Sequence, residues 1–234
     1  MTHEPDVVVV DSADALAYSV ADRTVATLAA AITERGVAHL VVTGGGILEA
    51  VLADMAPRAE ALDWASVHVW WGDERYVASD SPERNDRPAM AKLFDLVPLD
   101  RDKLHRMPAS DAGYPDAEAA AAAYAAALTE LAPDGESVPR FDVVLLGLGP
   151  DGHCASLFPN HPGTRVLDAA VIAVHDSPKP PPDRLSLTFA SLDAANEIWF
   201  VASGEGKADA VAKALSGADR TEVPSAGPRG RRKT

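Results

Sequence analysis

The chain has 234 residues, 47% hydrophobic and 24% charged, the balance of a soluble globular protein that can bury a sizeable core. A formal net charge of −14 opposes broad binding to nucleic acid or membrane, both anionic, yet leaves a small anionic ligand open, because a few local cations outweigh a screened distant field. No apolar run approaches the ~18 residues of a membrane span, the polar start MTHEPD is not a secretory signal, and the single cysteine, Cys154, suits a reducing, cytoplasmic setting.

Val7 to Val10 reads as a first short strand. Asp14 to Arg35 has helical spacing at Leu16, Val20, Val25, Leu28 and Ile32, and stops at Gly36. Leu40, Val41 and Val42 form a second strand that runs into Thr43-Gly44-Gly45-Gly46, with a helix from Ile47 to Met55. Val67 to Trp71 is a strand closed by Gly72-Asp73-Glu74-Arg75, and Arg87 to Phe94 a short helix. The alanine-rich stretch Asp116 to Leu131 is helical by propensity. Phe141 to Leu146 and Val171 to Val174 are strands, and Ser177 to Pro182 is an extended turn that proline bars from helix. Leu185 to Leu187, with Phe189 to Leu192 behind it, begins another short element. Ile198 to Ala202 is a strand, followed by Ser203-Gly204-Glu205-Gly206-Lys207 and a helix from Ala208 to Leu215. Alternation of strands and helices predicts an α/β fold: one domain over 1–234, a mainly parallel sheet with helices on both faces. Residues from about 227 to 234 read as a solvated basic tail.

The most informative segment is FDVVLLGLGPDGHCASLFP, Phe141 to Pro159. A buried parallel strand leaves through Gly147 and Gly149 and delivers Asp151 and His153 to the carboxyl edge of the sheet, where open α/β folds bind ligands. Histidine moves protons near neutral pH. The segment alone fits a loop histidine in a tight turn equally well. Thr43-Gly44-Gly45-Gly46 exposes backbone N–H groups before a helix, an arrangement that attracts phosphate, but it matches neither GxGxxG nor a P-loop. Arg75, Arg84 and Lys207 are candidate anion partners, each also readable as a surface charge. Cys154 reads as buried filler rather than a nucleophile. His3, His39, His68, His105, His153, His161 and His175 form no HxH or HxxxH pair. A site from Asp151, His153 and His161 lacks a zinc signature, so no metal is expected. No G-x-S-x-G elbow supports a serine triad.

Taken together, Thr43 to Gly46, Trp71-Gly-Asp-Glu-Arg-Tyr-Val77, Arg84-Asn85, Gly147-Leu-Gly-Pro-Asp-Gly-His153, Ala155-Ser-Leu-Phe-Pro159, Ser177 to Pro182 and Gly204-x-x-Lys207-Ala resemble the 6-phosphogluconolactonase family over nearly the whole chain. The resemblance implies a Rossmann-like sheet shared with amino-sugar-phosphate isomerases and deaminases. It also implies hydrolysis of 6-phospho-D-glucono-1,5-lactone with neither metal nor nucleotide cofactor. It assigns His153 as general base and Asp151 as its orienting acid. It gives Thr43, Gly44, Gly45, Gly46, Asp73, Arg75, Arg84, Asn85, Lys179, Arg184 and Lys207 to substrate, with the phosphate expected among Gly44, Gly45, Arg84 and Lys207. Two departures stand out. Gly46-Ile47-Leu48 replaces the hydroxyl residue and proline common in relatives. The resemblance also implies a final strand and helix beyond Gly227 that this chain does not carry, so an uncovered sheet edge is expected. Isomerases and deaminases follow the DGH turn with a further carboxylate; Cys154 to Pro159 offers none, which favours the lactonase. A sugar-phosphate sensor would lack the need for His153, and there is no room for a DNA-binding helix pair before the first strand.

Overall fold

The computed structural model describes residues 5–234. His3 and the first four residues of MTHEPD lie outside them. Helix α1 (Ala13–Arg35) starts where extended Ser12 accepts a hydrogen bond from Ala15 N, and ends at Gly36, left-handed at φ 76°. By length and composition α1 could cross a membrane. In the fold it buries a stripe of Ala17, Ala21, Val25 and Leu28. After it come β1 (Ala38–Val42), α2 (Gly46–Met55), β2 (Val67–Trp71) and β3 (Asp73–Arg75). A short helix α3 (Asp86–Ala89) continues as a π-helical turn over Met90–Phe94. Then follow β4 (Leu104–His105), α4 (Ala117–Glu130), β5 (Val143–Gly147), β6 (Val171–Val174), β7 (Arg184–Leu187), α5 (Phe189–Leu192), β8 (Glu197–Val201) and α6 (Ala208–Leu215).

The central sheet has the order β4-β2-β1-β5-β8, all parallel. Successive residues of a strand point to opposite faces, and β2 shows what covers each. Trp70 meets Tyr124 of α4 edge-on, while Trp71 meets Phe94 on the other side. The Tyr124 hydroxyl accepts from Trp71 N (2.8 Å) and donates to His105 O (3.0 Å), so α4 is fixed to β2 and β4 together. Near-continuous apolar strands such as Val143-Val144-Leu145-Leu146, all buried, are what double coverage demands.

A second sheet, which the strand–helix alternation does not predict, lies beside the first. β3, β7 and β6 pair antiparallel in the order β3-β7-β6. The DER segment read as a strand-closing turn is therefore a strand of its own, separated from β2 only by Gly72. Val171 to Val174, read as one more member of the alternating series, belongs here instead. A two-residue β4 was also overlooked, because Leu104-His105 is too short to show periodicity.

The ends differ from expectation too. Val7 to Val10 forms no strand, and Val7, Val8 and Val9 are exposed. The expected solvated tail is instead pinned along β8. Arg231 N donates to Ala195 O, Arg232 N to Asn196 O, and Ile198 N to Lys233 O, while the Arg231 and Arg232 side chains stay exposed. An edge strand offers unpaired N–H and C=O groups, and these residues answer some of them. Asp6 N in turn donates to Thr234 O, so the N-terminal segment leans on the tail rather than on the sheet.

One face of the sheet carries a histidine ladder. His39 and His105 stack with Trp70, His68 stacks with both histidines, and His68 Nδ1 lies 2.9 Å from His105 Nε2. Trp70 Nε1 donates to His39 Nδ1 (3.2 Å). Burial, with the other two histidines and Arg35 adding repulsion, pushes His39 from 6.5 down to about 3. Burial and His68 push His105 to about 4. A depressed histidine binds its proton more readily when unfolded, so stability is retained above about pH 6.5 and falls as pH drops toward the folded value. Between pH 7 and pH 5 His39 should remove about 2 kcal/mol of stability. Denaturant titrations at both pH values should show at least that loss, since His105 titrates in the same window, and His39→Gln, which keeps an acceptor for Trp70, should shrink it by about 2 kcal/mol. An equal loss in the variant would refute the assignment.

Candidate active site

The ends of β1, β5 and β8 surround a cavity of about 520 Å³ that β3, β7 and the turn before β7 close from the side. Thr43 to Gly46 enter it after β1, Gly147 to Pro150 and His153 at and after the end of β5, and Ser203 and Lys207 after β8, while Asp151 stands behind His153 outside the lining. Asp73, Arg75 and Asn85 reach it from β3 and beyond, Lys179 and Arg184 from β7 and its preceding turn. Of the residues expected to contact substrate, Arg84 alone does not line the cavity.

The Asp151–His153 pair is shaped by glycines. Gly149 N donates to His153 O and Gly152 N to Gly149 O, both at 2.9 Å, and Gly152 takes φ 89°. A Cβ on Gly149 would stand 2.0 Å from His153 Nδ1 and 2.5 Å from Asp151 Oδ1, so the pair rests directly on this residue. His153 Nδ1 lies 2.5 Å from Asp151 Oδ1. Lys179 Nζ lies 3.1 Å from the same oxygen and 3.0 Å from Nδ1. An ammonium only donates, and an ionised carboxylate only accepts. All three groups are satisfied when Nδ1 carries the proton and Asp151 accepts from both neighbours. Nε2 then keeps its lone pair. Burial, helped by Lys179, lowers the pKa of His153 against the opposite pull of Asp151. Burial pushes Asp151 upward, but its hydrogen bonds and charge contacts with His153 and Lys179 prevail and bring it to about 2.

The glycine loop after β1 supplies free donors. Gly45 at φ 129° precedes α2, and no side chain caps the helix. Its first N–H groups therefore remain unpaired within the helix, at the positive end of its dipole. Thr43 contributes differently from expectation: its hydroxyl donates to Leu145 O (3.1 Å) and accepts from Gly147 N (3.3 Å), joining the ends of β1 and β5. Gly44 lies under Asn85, since a Cβ there would be 2.0 Å from Asn85 Oδ1. Lys207 Nζ donates to Leu148 O at 2.7 Å. Arg184 is buried, bonds the carbonyls of Lys179, Pro180 and Pro181, and lies over the Phe158 ring, so it holds the Lys179 turn in shape.

The expectation that Arg84 meets the phosphate fails for a physical reason. Its buried guanidinium is engaged by Asp86 through three contacts of 2.9–3.1 Å and by Met107 O at 2.7 Å, with Glu74 at 3.7 Å. Glu74 is itself fully buried. Burial raises its carboxyl to about 7, against Arg84 and the N–H groups it accepts from. Ser156 is a further residue of the site's frame. Its hydroxyl donates to buried Asp73 Oδ2 (2.7 Å), linking the segment after His153 to β3. Its one signal in the sequence is its place in the ASLFP motif. Cys154 is fully buried and burial drives its thiol pKa far upward, so it is packing, as expected. His161 is occupied elsewhere, with Nε2 on His175 O and Nδ1 on Gly163 N, and does not converge with Asp151 and His153.

Residues 11–234 match the family model of glucosamine-6-phosphate isomerases and 6-phosphogluconolactonases. The chain is 48% identical to a 6-phosphogluconolactonase of Streptomyces coelicolor, over 100% of this chain and 92% of that protein. It is 45% identical to one from Mycobacterium tuberculosis, over 94% and 90% respectively. The solved 6-phosphogluconolactonase of Thermotoga maritima superposes with a TM-score of 0.81 at 27% identity, covering 94% of this chain and 93% of that one. A monomeric glucosamine-6-phosphate deaminase shares the fold at a TM-score of 0.75 and 21% identity, over 93% and 90%. The chain belongs to the glucosamine-6-phosphate isomerase/6-phosphogluconolactonase family, on its lactonase side.

Proposed function

We propose that His153 is the general base of this hydrolase. The chain hydrolyses 6-phospho-D-glucono-1,5-lactone to 6-phospho-D-gluconate, the second step of the oxidative pentose phosphate pathway. A δ-lactone is an activated ester, so water needs a base and no covalent nucleophile. Nε2 of His153 takes a proton as water oxygen bonds to the lactone carbonyl. The tetrahedral oxyanion accepts from N–H groups of the glycine loops. When the bond from carbonyl carbon to ring oxygen breaks, the imidazolium returns its proton to that oxygen, which becomes the C5 hydroxyl. Asp151 keeps the Nδ1 proton in place and balances the imidazolium charge. The substrate phosphate is assigned to the uncapped start of α2, at Gly44, Gly45 and Gly46, with Lys207 beside it. Arg75, Lys179 and Arg184 complete the positive lining, and Asp73 and Asn85 face the sugar hydroxyls. The same reading makes the whole chain one catalytic domain in the cytoplasm.

The observation that carries this reading is the Asp151–His153 pair at 2.5 Å, seated on Gly149 with His153 lining the cation-rich cavity. Three outcomes test it. With freshly made lactone and the spontaneous rate subtracted, His153→Ala should lose on the order of 10²–10⁴-fold in kcat with its circular dichroism unchanged; a near-normal rate would end the assignment. Gly149→Ala forces the pair to move, and a displacement of about 1 Å should cost about 10²-fold. Since only neutral imidazole accepts a proton, the acid limb of kcat/KM should fall below the ordinary histidine value of about 6.5. A limb at or above that value would contradict the burial argument.

A further inference from the structure

Glu74 belongs to no step of the proposed mechanism, yet the architecture of one cavity wall converges on it. Its side chain is fully buried. Oε1 accepts from Arg75 N and Asn85 N, each at 2.7 Å, and Oε2 accepts from Asp86 N at 2.9 Å. One carboxylate therefore ties together both ends of the 75–86 segment. The two residues this segment contributes to the cavity, Arg75 and Asn85, are both bonded to Glu74 through their backbones. Buried Arg84 answers the negative charge from 3.7 Å while gripping Asp86, which closes the cluster from behind.

From Glu74 the constraint runs on to the glycine loop. The Asn85 amide donates to Asp73 O (3.2 Å) and stands in the space that any side chain at residue 44 would need. That loop has no capping side chain of its own. Its shape depends on what abuts it, and Asn85 is that neighbour at Gly44. We propose that Glu74 is a positioning residue for substrate phosphate, acting through Asn85 to hold the Gly44–Gly46 donors in their anion-binding arrangement. The inference rests on the cavity being the lactonase site.

Glu74→Gln replaces one acceptor oxygen with a donor, so at least one of the three N–H groups is orphaned and the loop neighbour loosens. The expected result is a KM for the phosphorylated lactone raised about tenfold with kcat within about twofold, the pattern of lost binding rather than lost chemistry. The inhibition constant for inorganic phosphate should rise by the same factor. In an Asn85→Ala background the substitution should add little, because the two act along one path. A purely architectural role would lower the amount of active enzyme instead, reducing the apparent kcat at constant KM; that outcome overturns the proposal, as does full additivity with Asn85→Ala. If Glu74→Gln does not fold, Glu74→Asp, a shorter carboxylate that cannot reach all three N–H groups, takes its place: a raised phosphate inhibition constant with the circular dichroism unchanged supports the proposal, and an unchanged constant refutes it. Failure of the underlying reading is seen separately, as retention of rate by His153→Ala whatever Glu74 does.

Discussion

The pairing of β1 with β5 is the constraint on which the rest depends. In the order β4-β2-β1-β5-β8 the chain builds outward from β1 in one direction, then returns to continue on its other side. The connections leaving β1 and β5 therefore diverge, and a crevice opens between them at the carboxyl edge. Thr43 spans that crevice at its base, bonding both Leu145 O and Gly147 N. Everything chemical then follows from two glycine turns held side by side: one presents helix N–H groups, the other presents Asp151 and His153. The antiparallel sheet of β3, β7 and β6 supplies the third wall, and Ser156–Asp73 ties it back to the histidine segment.

Charge is organised at two scales. The molecule as a whole carries −14, while Arg75, Lys179, Arg184 and Lys207 share one small cavity. At the length of a Debye screen, about 8–10 Å in ordinary salt, the local cations govern what enters. Inside, the charges are unequal in kind. Arg184 and Arg84 spend most of their donors on carbonyls and carboxylates of the fold. Lys179 sits half-exposed beside Asp151. Arginine suits the first task because its planar fork can satisfy several fixed acceptors at once, and lysine the second because its compact ammonium moves freely.

Much of this was legible beforehand because it depends on local signals. Gly36 stops α1. β-branched runs ended by glycine mark β1 and β5. The short spacing from Asp151 to His153 puts both on one turn. What escaped depends on partners distant in sequence. Arg84 looks like an anion ligand in the sequence because nothing local shows that Asp86, Met107 and Glu74 close around it. β3 and β4 have three and two residues, too few to display alternation. The failed strand at Val7 to Val10 and the pinned tail are two sides of one fact: which segment reaches the edge of β8 is decided by where the chain ends lie in space, not by β-propensity. The fate of Thr43 shows the same limit, since a hydroxyl beside three glycines looks like a ligand until the β5 carbonyl it meets is known.

The sealed position of Cys154 has a practical consequence. It is the chain's only thiol, and it lies wholly inside the core behind the turn that carries Asp151 and His153. Thiol chemistry needs an accessible thiolate, and here both access and ionisation are withheld. Toward maleimides, peroxides or disulfide donors the folded molecule behaves as a cysteine-free protein. A reporter thiol placed on any exposed loop around the cavity would be labelled alone, while reactivity at position 154 would itself signal that the core had opened.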